Sequence, residues 1–178
     1  MKDADFARLA DTRHPQGILA VVKQKHYELK DLTGGSLYII LETIQDPGNL
    51  GTIIRTAEAA GVSAVIMNKG CVDIYSPKVV RSTMGSIFRV PFIYSDDLTG
   101  TIRQLKEDGI VIYAADLSGT DMYETAFSER KAYVIGNEAN GVSSDMISLA
   151  DRIVKIPMEG QVDSLNAAVS AAVLMYRR

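Results

Sequence analysis

After residue 36 the chain repeats one unit: a short apolar run rich in β-branched or aromatic residues, a segment of helical character, then another apolar run. Runs that are apolar on consecutive rather than alternate residues suit strands buried on both faces, as in a parallel sheet covered by helices. Six such runs occur, at residues 37–43, 64–68, 89–93, 110–115, 132–135 and 152–156. Between and after them the sequence predicts helices over 50–60, closed by Gly61; 77–86, with Ser76 as cap and Pro77 in the first turn; 97–108, closed by Gly109; 144–150; and 164–178. The expected fold is α/β, a parallel sheet flanked by helices on both faces.

Upstream, a short helix over 4–10 precedes the turn His14, Pro15, Gln16, Gly17, and the apolar run 18–22 reads as one more strand at a sheet edge. A polar loop over 23–35 follows. No internal repeat, low-complexity tract or Pro/Ser-rich linker divides the sequence. At 178 residues it suits one compact domain over 36–178, with 1–35 as an N-terminal extension that carries the edge strand.

Bulk properties narrow the function classes. The single cysteine, Cys71, excludes an internal disulfide and a cysteine-built metal site, which suits a reducing compartment and makes the cytoplasm the expected location. The start of the chain has no apolar core of signal-peptide length, and the most apolar stretch, 167–176, is too short to span a bilayer, so no membrane is expected. Net charge is −3 and the isoelectric point about 5.4. Any nucleic-acid contact must therefore be a local basic patch.

Three segments carry the chemistry. The first is Asp46, Pro47, Gly48, Asn49, Leu50, Gly51, between a buried strand and a helix, where an open α/β sheet keeps its ligand site. Asn49 is either a ligand contact or the cap of that helix. Within the helix, Thr52, Arg55 and Glu58 share one face, so Arg55 and Glu58 are placed to form an ordinary surface ion pair or to serve a site one turn from the glycine loop. The second segment, Gly136, Asn137, Glu138, Ala139, Asn140, Gly141, again follows a buried strand and precedes a helix. Its glycines and asparagines tolerate left-handed backbone and need no function, whereas Glu138 is not explained that way. The third runs from Ile156, Pro157, Met158 to Ser164, Leu165, Asn166 and opens a terminal helix. Small residues there allow close approach to a core or a second copy, while Leu165, Val169, Val173 and Tyr176 form the larger packing stripe.

The sequences LETIQDPGNLGTIIRTAEAAG, YVIGNEANGVS and IPMEGQVDSLNAAVSAAV, in this order, resemble the three motifs of the SpoU/TrmH methyltransferases of the SPOUT superfamily, over residues 36–178. The upstream TRHPQGILAVV also resembles the start of the catalytic domain in longer members, many of which carry an additional N-terminal RNA-recognition domain. The resemblance implies a SPOUT-type fold with a C-terminal deep trefoil knot, where unaided topology rules would favour an unknotted sheet. It implies an S-adenosylmethionine-dependent RNA methyltransferase, a homodimer acting on a ribose 2′-hydroxyl of rRNA or tRNA without a metal.

By the same resemblance, cofactor contacts come from Ala114, Ala115, Gly136, Asn137, Glu138, Ile156, Pro157, Met158 and Leu165, and the catalytic group is Asn49, Arg55, Glu138, Ser164 and Asn166. A guanidinium stays protonated in proteins, so Arg55 is assigned to bind the flanking phosphate and polarise the ribose hydroxyl, with Glu138 or a phosphate oxygen accepting the proton. Lys78, Arg81 and Arg89 are the candidate RNA contacts, or else a solvated face. A non-catalytic RNA-binding protein on the same scaffold is the alternative from another class. A dehydrogenase or ordinary Rossmann methyltransferase is disfavoured by the missing G-x-G-x-x-G, and a small-molecule hydrolase by His14 and His26, the two histidines, lying outside every motif.

Overall fold

The computed structural model describes residues 3–10, 17–32 and 34–177. Its centre is a six-stranded sheet of β1 (Leu37–Leu41), β2 (Ala64–Asn68), β3 (Phe92–Ser95), β4 (Val111–Asp121), β5 (Lys131–Ile135) and β6 (Arg152–Lys155), in the order β3-β2-β1-β5-β4-β6. Every pairing is parallel, as the continuous apolar runs require. One face carries α2 (Pro47–Ala60), α3 (Pro77–Ser82) and α6 (Ala167–Tyr176), whose apolar residues join Ile39, Leu41, Val65, Met67 and Tyr133 in one core cluster. The other carries α4 (Leu98–Glu107) and α5 (Ser144–Leu149), packed on Tyr38, Ile40, Ile66, Ile112 and Val134. Alternation along each strand divides its residues between the two clusters.

Local chemistry explains where element limits depart from the sequence expectation. The third strand begins at Phe92 rather than 89, because Pro91 has no N–H for the ladder and Ser86–Phe88 winds a single 3-10 turn ahead of it. The helix expected over 77–86 stops at Ser82, where Met84 and Gly85 both adopt positive φ, 51° and 88°. The terminal helix starts three residues later than expected, with Asn166 as its cap. The fourth strand runs on to Asp121 through a register shift against β6 between Ala115 and Thr120. At Gly119 a Cβ would lie 2.5 Å from the Ile153 carbonyl carbon, so only glycine fits this bulge.

The edge strand expected over 18–22 is not formed. Residues 17–28 have no regular structure, and Ile18 and Val21 are 86% and 94% exposed. An apolar run without a ladder partner or a covering layer is not a strand, and β3 and β6 form the edges instead. The upstream helix is present as α1 (Asp3–Leu9). His14, Pro15 and Gln16 of the expected turn, and Arg178 at the end of the expected terminal helix, lie outside the described residues. No described helix is long and apolar enough to cross a membrane.

Candidate functional site: three loops at the carboxyl edge of the sheet

The loops after β1, β5 and β6 meet at the carboxyl ends of the strands, where parallel sheets place their ligands. Asp46 supplies the cap of α2 by accepting the Asn49 N–H at 2.8 Å, and Pro47 fills the first turn. Asn49 is therefore not the cap, and its side chain is free to point elsewhere. Its Nδ2 donates to Oε1 of Glu138 at 2.9 Å, and its Oδ1 accepts from Nδ2 of Asn166 at 2.9 Å. One amide thus joins all three motifs.

Each neighbour of that amide is fixed in turn. Oδ1 of Asn166 caps α6 by accepting the N–H groups of Ala168 and Val169, so the bland role and the site contact coexist in one side chain. Asn137 donates to the Thr43 carbonyl at 2.9 Å and accepts from the N–H groups of Ala139 and Asn140, which occupies both ends of its amide. Thr43, at φ 58°, also donates its N–H to Asn68, so this left-handed turn is held from two sides. Glu42 accepts the Ser143 N–H at 2.8 Å, a further tie between the first loop and the one after β5. At Gly136 a Cβ would lie 2.1 Å from the Gly141 carbonyl, inside the paired bridge of Asn137 with Gly141, so glycine is required there for packing alone.

Beside this network lies an open crevice of about 310 Å³. Ile135, Val154, Ile156, Met158 and Leu165 form apolar walls, and Gly136, Asn137, Glu138, Ser164 and Asn166 supply polar groups. Apolar walls with a few convergent polar groups suit an organic cofactor with a flat ring system. Ala115 lines the crevice, whereas the side chain of Ala114, one residue earlier on the strand, is fully buried in the core of the opposite face. Pro157 lines a neighbouring shallow groove together with Ile156 and Met158. Sequence reasoning missed Asp116, Leu117 and Lys155, which also line the crevice. The β4 bulge carries the first two there, and Gly119, after Asp116-Leu117-Ser118, is its signal in the sequence.

Arg55 and Glu58 do not pair. Glu58 accepts instead from Nε and Nη2 of Arg89 and from the Ser86 hydroxyl, and these partners, Arg89 foremost, hold its carboxyl down at about 2. The helix face is as the spacing predicts, but residues 62 to 89 bring a better, forked donor to it. Arg55 is exposed and has no acidic partner among the described residues. Of the candidate RNA contacts, Lys78 and Arg81 on α3 are exposed without an ion-pair partner among the described residues, whereas the charge of Arg89 is already matched by Glu58.

On α6 the small residues make the close approach that the sequence allows, and the larger stripe is only partly packed. Ala167, Ala168 and Ala171 are buried in the cluster that includes α2, while Val169 and Tyr176 of the larger stripe are 47% and 57% exposed. Close helix contact favours small residues on the inner side.

Fold and crevice define an open parallel α/β protein with a candidate ligand site at the carboxyl edge of the sheet. The model of the SpoU rRNA Methylase family matches residues 36–176, and the chain belongs to that family. It is 37% identical over 172 residues to the 23S rRNA (guanosine(2553)-2′-O)-methyltransferase RlmP of Bacillus subtilis, covering 96% of this chain and 68% of that protein. The AdoMet-bound rRNA methyltransferase from Sinorhizobium meliloti superposes with a TM-score of 0.81 at 34% identity, covering 87% of this chain and 60% of that one. The SpoU methyltransferase AviRb from Streptomyces viridochromogenes, in complex with AdoMet, gives a TM-score of 0.73 at 33% identity, covering 80% and 58%. The chain thus spans between 58% and 68% of the length of these relatives.

Proposed function

We propose that the protein is an S-adenosylmethionine-dependent RNA methyltransferase that methylates a ribose 2′-hydroxyl of rRNA or tRNA. The observation that carries the reading is the amide of Asn49, which ties Glu138 and Asn166 into one constellation at the mouth of an apolar-walled crevice. The bound cofactor supplies a methyl group on a sulfonium sulfur, and the residues present fit it. Ile156, Met158 and Leu165 enclose a flat apolar ring system, and main-chain groups near Ala114, Ala115, Gly136, Asn137 and Pro157 provide its polar contacts. Asn137 contributes through its backbone, since its side chain is engaged in the loop.

Arg55 is the phosphate ligand. Its guanidinium, exposed and unmatched by acid, forks onto the phosphate beside the target ribose and polarises the hydroxyl. Asn49 donates to the Glu138 carboxylate and so holds one oxygen, leaving the other free to take the hydroxyl proton, a task a phosphate oxygen of the substrate can share. Ser164, at the crevice lining, orients the sugar by a hydrogen bond, and alignment of the two reactants supplies much of the rate. Lys78 and Arg81 extend the phosphate track along α3.

Residues 36–178 form the catalytic unit, with 1–35 as an extension, and the deep trefoil knot belongs to its C-terminal third. The protein works as a homodimer in the cytoplasm. The outward apolar residues Val169 and Tyr176 on α6 support the dimer, and sedimentation of Val169→Glu, expected to be monomeric, tests it. Calorimetry with S-adenosylmethionine tests the function. Stoichiometric binding supports it, and no binding at millimolar cofactor favours a non-catalytic RNA-binding protein on the same scaffold.

A further inference from the structure

Positions 51, 55 and 58 of α2 recur at four and three residues and so lie along one side of the helix. Two of them are docking points for the segment that follows β2. At Gly51, α3 crosses so closely that a Cβ would meet Ser82 Cβ at 2.3 Å and the Val79 carbonyl at 3.1 Å. At Glu58 the next turn is held by the buried Ser86 hydroxyl and by the fork of Arg89, whose Nη2 donates at 2.9 Å. Arg55 emerges between these two points, exposed and without an acidic partner among the described residues.

A glutamate and an arginine three residues apart on a helix are within reach of one another. Released from its clamp, Glu58 would face Arg55 with nothing to hold it away. A guanidinium already forked onto a carboxylate has its charge matched and two of its five N–H donors taken, which weakens its grip on a phosphate. We propose that Ser86 and Arg89 clamp Glu58 so that it cannot neutralise Arg55, which makes Glu58, Ser86 and Arg89 positioning residues for the phosphate ligand. Ser86 reaches Glu58 from the left-handed turn at Met84 and Gly85, which the clamp ties to α2. Arg89, which the sequence offers as an RNA contact, then acts within the protein. The proposal rests on the phosphate reading of Arg55 given above.

Two readouts on the full chain test it. In the first, nitrogen-edited NMR follows the Nε–H of Arg55 without RNA. Arg89→Ala shifts this resonance and slows its exchange with water as Glu58 moves over, and Arg89→Ala with Glu58→Gln returns both to the wild-type values. In the second, filter binding of deproteinised rRNA is measured against salt. Arg89→Ala binds several-fold more weakly, with a log–log salt slope shallower by about 0.7, the share of one phosphate contact on a single strand. The double variant recovers affinity and slope.

An Arg55 resonance that ignores Arg89→Ala overturns the clamp, as does a double variant that stays as weak as Arg89→Ala, since Arg89 would then touch RNA itself. Wild-type protein that binds no RNA refutes the phosphate reading of Arg55, while the NMR readout still decides the clamp. Arg89→Gln replaces the alanine variant if that does not fold, and an unchanged calorimetric S-adenosylmethionine affinity reports an intact crevice.

Discussion

Gly136→Ala is a sharp test of how the loops are assembled. The new Cβ would stand 2.1 Å from the carbonyl carbon and oxygen of Gly141 and 2.2 Å from the Val142 nitrogen, where ordinary contact begins at 3.4 Å. The missing 1.3 Å (3.4 less 2.1) has to come from backbone, because none of the three atoms belongs to a movable side chain. The two hydrogen bonds between Asn137 and Gly141, at 3.0 and 2.9 Å, lie in the same bridge and open as it spreads. Overpacking against backbone costs about 3 kcal/mol, the upper part of the usual range, which in a chain of this size lowers Tm by roughly 6–12 °C. Spreading the bridge also displaces Glu138 from Asn49, so affinity for S-adenosylmethionine should fall together with Tm. Gly160→Ala is the control, since a Cβ there meets nothing within 4 Å and φ is not positive. Differential scanning calorimetry and cofactor titration on both variants give the answer. If Gly136→Ala melts within about 2 °C of the parent and binds cofactor unchanged, the close approach is not a structural constraint.

Arg55→Ala should lower single-turnover methylation roughly a hundredfold or more, as removal of one preorganised donor commonly does. Arg55→Lys should recover no more than about a tenth of the parent rate, because an ammonium lacks the fork, and near-normal turnover with lysine would refute forked recognition. Asn49→Asp replaces the donor that faces Glu138 with a like charge, so single-turnover methylation should fall roughly a hundredfold while Asn49→Gln keeps more of it; an unchanged rate with Asp would mean that the Asn49–Glu138 contact does not serve the reaction. The Glu58 carboxyl, lowered from 4.5 to about 2 by Arg89 and Ser86, should be followed by carbon-detected NMR. Since the folded value lies below the unfolded one, the stabilisation it links is present above pH 4.5 and is lost as pH falls toward 2; a midpoint near 4.5 would show that the clamp is not made in solution.

The sheet was legible because burial on both faces leaves continuous apolar runs, and the second run matches its strand at Ala64–Asn68. Local exceptions were not legible in apolar pattern alone. Pro91 delays β3, and the bulge after Ala115 extends β4 through residues whose polarity reads as loop. The run 18–22 shows the converse, since its apolar character suggests a strand although no partner is beside it. At the site, motif order picked out Asn49, Glu138 and Asn166 together, but the amide bonds between them join residues 89 and 117 apart in sequence, beyond any local rule. Local spacing allowed Arg55 to pair with Glu58, and a tertiary contact from Arg89, 31 residues from Glu58, takes the carboxylate instead.

The central claim is methyl transfer to a ribose hydroxyl, with Arg55 as the phosphate ligand. RNA from a strain lacking this protein, incubated with it and methyl-labelled S-adenosylmethionine and then digested to nucleosides, tests that claim by chromatography and mass spectrometry. The label should appear in a 2′-O-methylnucleoside and vanish with Arg55→Ala. Label on a nucleobase, or equal labelling by the Arg55→Ala variant, would contradict the account.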